Sequence, residues 1–163
     1  MSLFNRRSFL VLSAASLSAC GFTPAYSPGG GGAGLQDAIE IDAPTTRPDY
    51  LLTRHLEDRL GRSTNPRYGL SYSIDLSEAP IAISANNVTT RYNVLGEITY
   101  ALRDLQSGIV LSSGKVDSFT SYSTSGTTVA TQASEKDAQE RLMVILGDQI
   151  VTRLLAAASK LPA

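Results

Sequence analysis

Between residues 70 and 100 the hydrophobic pattern repeats every two residues, and this restricts what the chain can fold into. Leu70, Tyr72, Ile74 and Leu76 alternate with Ser71, Ser73 and Asp75, while Tyr92, Val94, Ile98 and Tyr100 share one face of a second run, with Gly96 between them. Such alternation describes strands with one buried face. Arg91, Asn93, Glu97 and Thr99 fall on the opposite, polar face. Burying each large apolar member contributes about 1.5–3 kcal/mol, enough to hold the register, because a slip by one residue exposes all of them.

Helical signals flank these strands. Thr46-Arg47-Pro48-Asp49 marks a helix start, with Pro48 in the first turn and Asp49 at the positive end of the dipole. Leu52, Leu56 and Leu60 then recur on one face, Arg54, Glu57, Asp58 and Arg59 occupy the other, and Gly61 stands where a helix ends. Ahead of it, Ile39-Glu40-Ile41-Asp42 alternates as a short strand. Downstream, Asp104-Leu105-Gln106-Ser107-Gly108 supplies turn chemistry. A further strand is expected from Ile109 through Val116 to about Phe119, bulged at Gly114. Tyr122 to Ala133, rich in Ser and Thr, reads as a surface loop. Ser134 is the expected cap of a second helix, with Glu135 and Asp137 in its first turn. Its apolar stripe is Ala138, Leu142, Ile145, Leu146, Ile150, Leu154 and Leu155, and it ends before Pro162.

Two helices with one apolar stripe each need a surface to bury them, and a sheet with one apolar face provides it. The order strand, helix, three strands, helix predicts an α+β fold over residues 37–163. The expected form is a two-layer sandwich, two helices packed on one face of a four-stranded, mainly antiparallel sheet. The other sheet face stays polar and open.

The first nineteen residues stand outside this pattern. Arg6 and Arg7 precede a short apolar stretch from Phe9 to Ala19, the layout of a secretory signal peptide over residues 1–19. Leu17-Ser18-Ala19-Cys20 resembles a bacterial lipobox, which makes Cys20 the lipidated first residue of the mature protein and its membrane anchor. Asn5-Arg6-Arg7-Ser8-Phe9-Leu10 is similar to a twin-arginine motif, so Sec and Tat export both stay open. Residues 20–36 form a Gly-rich tether spanning roughly 20–25 Å. Phe22 and Tyr26 within it are available to the membrane interface or a partner, with a disordered aromatic pair as the other reading.

The 163 residues include one Cys and one His, which excludes an intramolecular disulfide framework, a Cys-based zinc cluster and a multi-histidine metal site. No P-loop, dinucleotide fingerprint, nucleophile elbow or H-E-x-x-H occurs. His55 reads as a surface or boundary residue of the first helix, and the adjacent Glu57 and Asp58 diverge, whereas glycoside hydrolysis needs convergent carboxylates. Asn87-Val88-Thr89 matches a glycosylation pattern but is set aside, because the lipobox is a bacterial signal. No catalytic residue, metal or cofactor is expected. Removing residues 1–19 leaves 12 basic and 15 acidic side chains, a charge of −3. That argues against nonspecific nucleic-acid binding, which needs a basic field.

Thr90-Arg91-Tyr92-Asn93-Val94-Leu95-Gly96 and Tyr100-Ala101-Leu102-Arg103-Asp104 are followed by Ser121-Tyr122-Ser123, Ala133-Ser134-Glu135-Lys136-Asp137-Ala138 and Gln149-Ile150-Val151-Thr152-Arg153-Leu154. With the lipobox, their order and spacing resemble the LptE family of lipopolysaccharide (LPS) assembly lipoproteins, in its alphaproteobacterial form. The resemblance runs from Cys20 onward. It implies a non-enzymatic, lipid-anchored protein on the periplasmic side of the outer membrane. Such a protein plugs and helps assemble the LptD β-barrel, binds LPS and delivers it to the outer leaflet. An anionic glycolipid calls for cations. Arg91, on the open sheet face, is the first candidate, and Lys115 and Lys136 are weaker ones; solvated surface charge is the other reading of each. Two further classes stay open. A lipoprotein binding a lipid or peptide independently would hold a dry apolar cavity under its helices, and an envelope hydrolase would gather titratable groups.

Overall fold

The computed structural model describes residues 31–83, 89–124 and 126–158. A 3-10 turn at Gly31–Gly34 leads into β1 (Ile39–Ile41), α1 (Arg47–Leu60), β2 (Tyr68–Ile83), β3 (Thr89–Asp104), β4 (Val110–Ser123) and α2 (Thr128–Ala158). The strands form one sheet in the order β1-β2-β3-β4, with β1 parallel to β2 and the other pairs antiparallel. Helix α2 lies along β4 and β3, and α1 packs beside α2 and β1. This is the α+β sandwich that the periodicity predicts. The signal peptide, Cys20, Phe22, Tyr26, Asn87, Val88 and Pro162 lie outside the described residues.

Local chemistry sets the ends of α1. Thr46 Oγ1 accepts from the Asp49 amide at 3.3 Å, and Asp49 Oδ2 accepts from the Thr46 amide at 2.9 Å. A reciprocal cap of this kind stabilises a helix by about 1 kcal/mol. Gly61 ends the helix at φ +82°, its amide donating to Glu57 O at 2.8 Å. A Cβ there would fall 2.0 Å from Asp37 Oδ1, so glycine alone fits both the dihedral and the space.

Leu52, Leu56 and Leu60 of α1 meet Leu142, Leu146, Ile150 and Leu154 of α2 over Leu70, Ile98, Leu102 and Val116 of the sheet, all buried. Ile98 stands opposite both Ile74 and Val116, so one apolar rung crosses three strands. The buried Thr120 hydroxyl donates to Ala138 O at 2.8 Å, which satisfies it inside the core. Leu35, placed in the tether by sequence, is buried in this same cluster.

Three expectations need correction. The Ser/Thr segment after Tyr122 is mostly helix: β4 runs to Ser123, and α2 begins at Thr128, six residues before Ser134. Thr127 Oγ1 accepts from the Ala130 amide at 3.3 Å, while Ser134 Oγ donates back to Ala130 O at 2.9 Å inside the helix. These first turns bury almost nothing (Val129 is 76% exposed), so they carry no apolar period to read. The β4 bulge is not at Gly114. The register skips Leu111, between the Leu102↔Ser112 and Arg103↔Val110 pairs, and Gly114 pairs regularly beneath the Tyr100 ring. Finally, Ile145 is 39% exposed, and Met143 and Val151 fill the core in its place.

Candidate functional site

The sheet face away from the helices is mostly polar, and strand register sets its composition. Reading across β2, β3 and β4, its rungs are Ser71–Ala101–Ser113, Ser73–Thr99–Lys115, Asp75–Glu97–Asp117, Ser77–Leu95–Phe119 and Ala79–Asn93–Ser121, then Ala82–Arg91–Ser123 past a bulge at Ile81. The face is therefore banded. Three carboxylates stand side by side at its centre. Next to them Phe119, 59% exposed, and Leu95, 40% exposed, form an apolar pair. Like charges directly opposite across strands are destabilising. Lys115 offsets part of this, its Nζ lying 2.6 Å from Glu97 Oε1.

Arg91 is exposed on this face, and among the described residues no carboxylate lies within ion-pair distance of it. Ser121 Oγ donates to Asn93 Oδ1 at 2.6 Å on the neighbouring rung, so hydroxyl and amide groups surround the guanidinium end of the face. Lys115 shares the face but pairs with Glu97, and its rung is that of Thr99, eight residues along β3 from Arg91. At 3.3 Å per residue the two rungs are about 26 Å apart along the strands. Lys136 belongs to α2 in the other layer. The structure thus brings the three sequence candidates to three separate places. Sequence reasoning missed Asp75 and Asp117 as neighbours of Glu97, and Phe119 as the partner of Leu95. No local signal marks them, because strand pairing alone makes them adjacent. Arg103 was missed as well; it is exposed at the far end of the face, paired in register with Gly69 and Val110.

Several titratable groups elsewhere hold the fold together. His55 Nε2 is 3.0 Å from Asp148 Oδ1, with Arg59 Nε 3.7 Å from the same oxygen, a clasp between α1 and α2. Tyr122 stacks on Tyr92 with centroids 5.6 Å apart and donates to Glu78 Oε2 at 3.1 Å. Burial first, then the Glu78 charge and hydrogen bond, push its phenol up to about 12. Among the described residues no group of three or more His, Cys, Asp or Glu side chains is placed to hold a metal. No helix among them is long and apolar enough to cross a membrane. Helix α2 also lies directly on the sheet: a Cβ on Gly96 would come within 2.9 Å of Leu142 Cδ2 and 3.0 Å of Leu146 Cδ1. That contact leaves no room for an acyl chain at the centre of the sandwich.

Solved structures with this architecture include several bacterial lipoproteins. A candidate lipoprotein of Caulobacter crescentus is 25% identical over 80% of this chain and 96% of its own, with a TM-score of 0.66. Rare lipoprotein B of Shewanella oneidensis is 10% identical over 76% and 96%, with a TM-score of 0.59. Lipoprotein B of Nitrosomonas europaea is 12% identical over 75% and 84%, with a TM-score of 0.57. No curated protein matches the sequence. The fold of two helices on a four-stranded sheet is thus one that this chain shares with bacterial lipoproteins. Within that class, the model of the lipopolysaccharide-assembly LptE family matches residues 37–154, and the chain belongs to this family.

Proposed function

We propose that the protein is a non-catalytic, outer-membrane component of the LPS translocon, anchored through Cys20 on the periplasmic side. It plugs and supports assembly of the LptD barrel and binds LPS for delivery to the outer leaflet. Membership of the LptE family over residues 37–154 is the observation that carries this reading. The banded sheet face refines it. Phosphates of LPS are repelled by the Asp75–Glu97–Asp117 row, so any LPS contact on this face belongs at the Arg91 end, where a guanidinium without a carboxylate partner sits beside hydroxyl and amide groups. Lys115, already paired with Glu97, and Lys136, on the helical layer, contribute less.

Two measurements test the reading. In the native host, the tagged protein is expected to co-purify with a large outer-membrane β-barrel, and its depletion is expected to lower both folded barrel and surface LPS. The purified protein is expected to bind LPS more weakly as salt rises. A protein that engages neither barrel nor LPS refutes the proposal.

A further inference from the structure

The two edges of the sheet are treated differently. On β4 three outward carbonyls are covered by side chains of α2: Arg153 Nη1 donates to Lys115 O at 2.6 Å, Gln149 Nε2 to Asp117 O at 3.2 Å, and Arg141 Nη2 to Ser121 O at 3.4 Å. Such cover prevents a bare edge from pairing with another chain. On β2 the cover is partial. β1 pairs only with Tyr68, Gly69 and Leu70 before the chain turns away into α1. The Asp42 amide donates to Leu70 O at 3.0 Å, so Leu70 turns its backbone polar groups outward. In an antiparallel pair these directions alternate, so Tyr72, Ile74, Leu76 and Glu78 also face outward. Among the described residues no donor reaches their carbonyls. The next outward position is Pro80, which has no N–H and closes the edge. The gap from Tyr72 to Glu78 is about 20 Å long.

The gap opens beside a cleft of about 500 Å³, between the free edge and the start of α1. Half-buried Tyr72, Ile74 and Leu76 line its floor, and Asp42 and Asp49 stand on its walls. The strand itself adds Asp75 and Glu78, while no Lys or Arg lines the cleft. An occupant of this gap needs backbone donors and acceptors, an apolar side toward the floor, and positive charge.

We infer that the Tyr72–Glu78 edge of β2 receives an extended segment of a partner protein in which apolar residues alternate with lysine or arginine. The segment adds to the sheet as a strand in line with β1. Backbone hydrogen bonds supply affinity, and the apolar floor and acidic rim select the sequence. This surface is separate from the Arg91 end of the open face, and it stands whether or not the protein binds LPS.

The test uses the purified full chain in detergent and the peptide acetyl-Lys-Val-Lys-Val-Lys-Val-Lys-amide. Saturating peptide is expected to slow hydrogen exchange of the Tyr72, Ile74, Leu76 and Glu78 amides at least tenfold. A version with Glu in place of Lys should bind at least tenfold more weakly. Of two versions N-methylated at every valine or every lysine, one should lose binding. Ile74→Pro removes an outward donor and should abolish binding with the fold retained. Should that variant unfold, Asp42→Lys with Asp75→Lys should weaken the lysine peptide and strengthen the glutamate one. No protection, protection confined to the Leu95–Phe119 face, or equal affinity for both peptides overturns the inference. So does protection of the same amides without peptide, whether it rises with protein concentration, marking a second copy, or disappears on deletion of residues 21–30, marking the chain's own N-terminal segment.

Discussion

The ring of His55 occupies the space where Gly147 lacks a side chain: a Cβ on Gly147 would lie 2.7 Å from His55 Cδ2. Glycine at this point lets α1 and α2 approach, and the histidine filling the notch reaches Asp148 Oδ1 at 3.0 Å. Gly147→Ala must push the ring out and break that bond, so it should destabilise the protein by about 1–2 kcal/mol. His55→Ala should cost about 1 kcal/mol through lost packing and the lost hydrogen bond. The double variant should be no less stable than His55→Ala alone, because the added methyl then finds room. Urea melts of the four proteins form the cycle, and strict additivity would show that the two residues do not share this space.

Leu142→Asp should cost at least about 3 kcal/mol, since it places a carboxylate against the Gly96 backbone in a close-packed core. Ile145→Asp, on the exposed side of the same helix, should stay within about 0.5 kcal/mol. Equal melts for the two variants would overturn the packing face assigned to α2.

Burial works to raise the Asp49 carboxyl, but hydrogen bonds from Thr45 and Thr46 outweigh it and hold the group below the usual carboxylate value. A carboxylate depressed in the folded state adds stability above its unfolded pKa and loses it as pH falls through the folded one. Asp49→Ala should therefore be less stable than wild type by about 1 kcal/mol at neutral pH. The difference should shrink as pH drops below about 4. Melts between neutral pH and pH 2 read this directly.

Tyr122 shifts the other way. With its phenol pushed up to about 12, it adds stability that is complete below the ordinary tyrosine pKa and is lost as pH rises through about 12. Ultraviolet titration of the folded protein should show a late tyrosine step there. Tyr122→Phe should remove that step and leave the earlier ones.

Arg91→Glu should weaken LPS binding at low and moderate salt, with a melt close to wild type, because an exposed strand residue carries little stability. Lys115→Glu should do less to LPS binding and more to the fold, since it adds a fourth carboxylate beside Asp75, Glu97 and Asp117. Normal LPS binding by Arg91→Glu would reduce Arg91 to solvated surface charge.

Much of the scaffold was legible in short stretches of sequence. The Thr46–Asp49 cap, the Leu52–Leu56–Leu60 stripe, the stop at Gly61 and the alternation in β2 and β3 are interactions among residues a few positions apart, so each carries its own signal. The first turns of α2 gave none, because a helix that buries nothing has no apolar period. The bulge at Leu111 was misplaced because pairing with β3 decides it, and the presence of a glycine does not.

For the site, sequence determined which residues of the long middle strand point away from the core, since alternation assigns Arg91, Asn93, Glu97 and Thr99 to one face. Only the tertiary structure decided which of them meet. Glu97 stands beside Asp75, Asp117 and Lys115 because register is set by the packing of whole strands and by the turns between them. His55 reaches Asp148 across 93 residues because two helices close over one glycine. The free edge at Tyr72–Glu78 exists because β1 is three residues long, and whether a strand has a neighbour is a property of the assembled sheet, not of the strand.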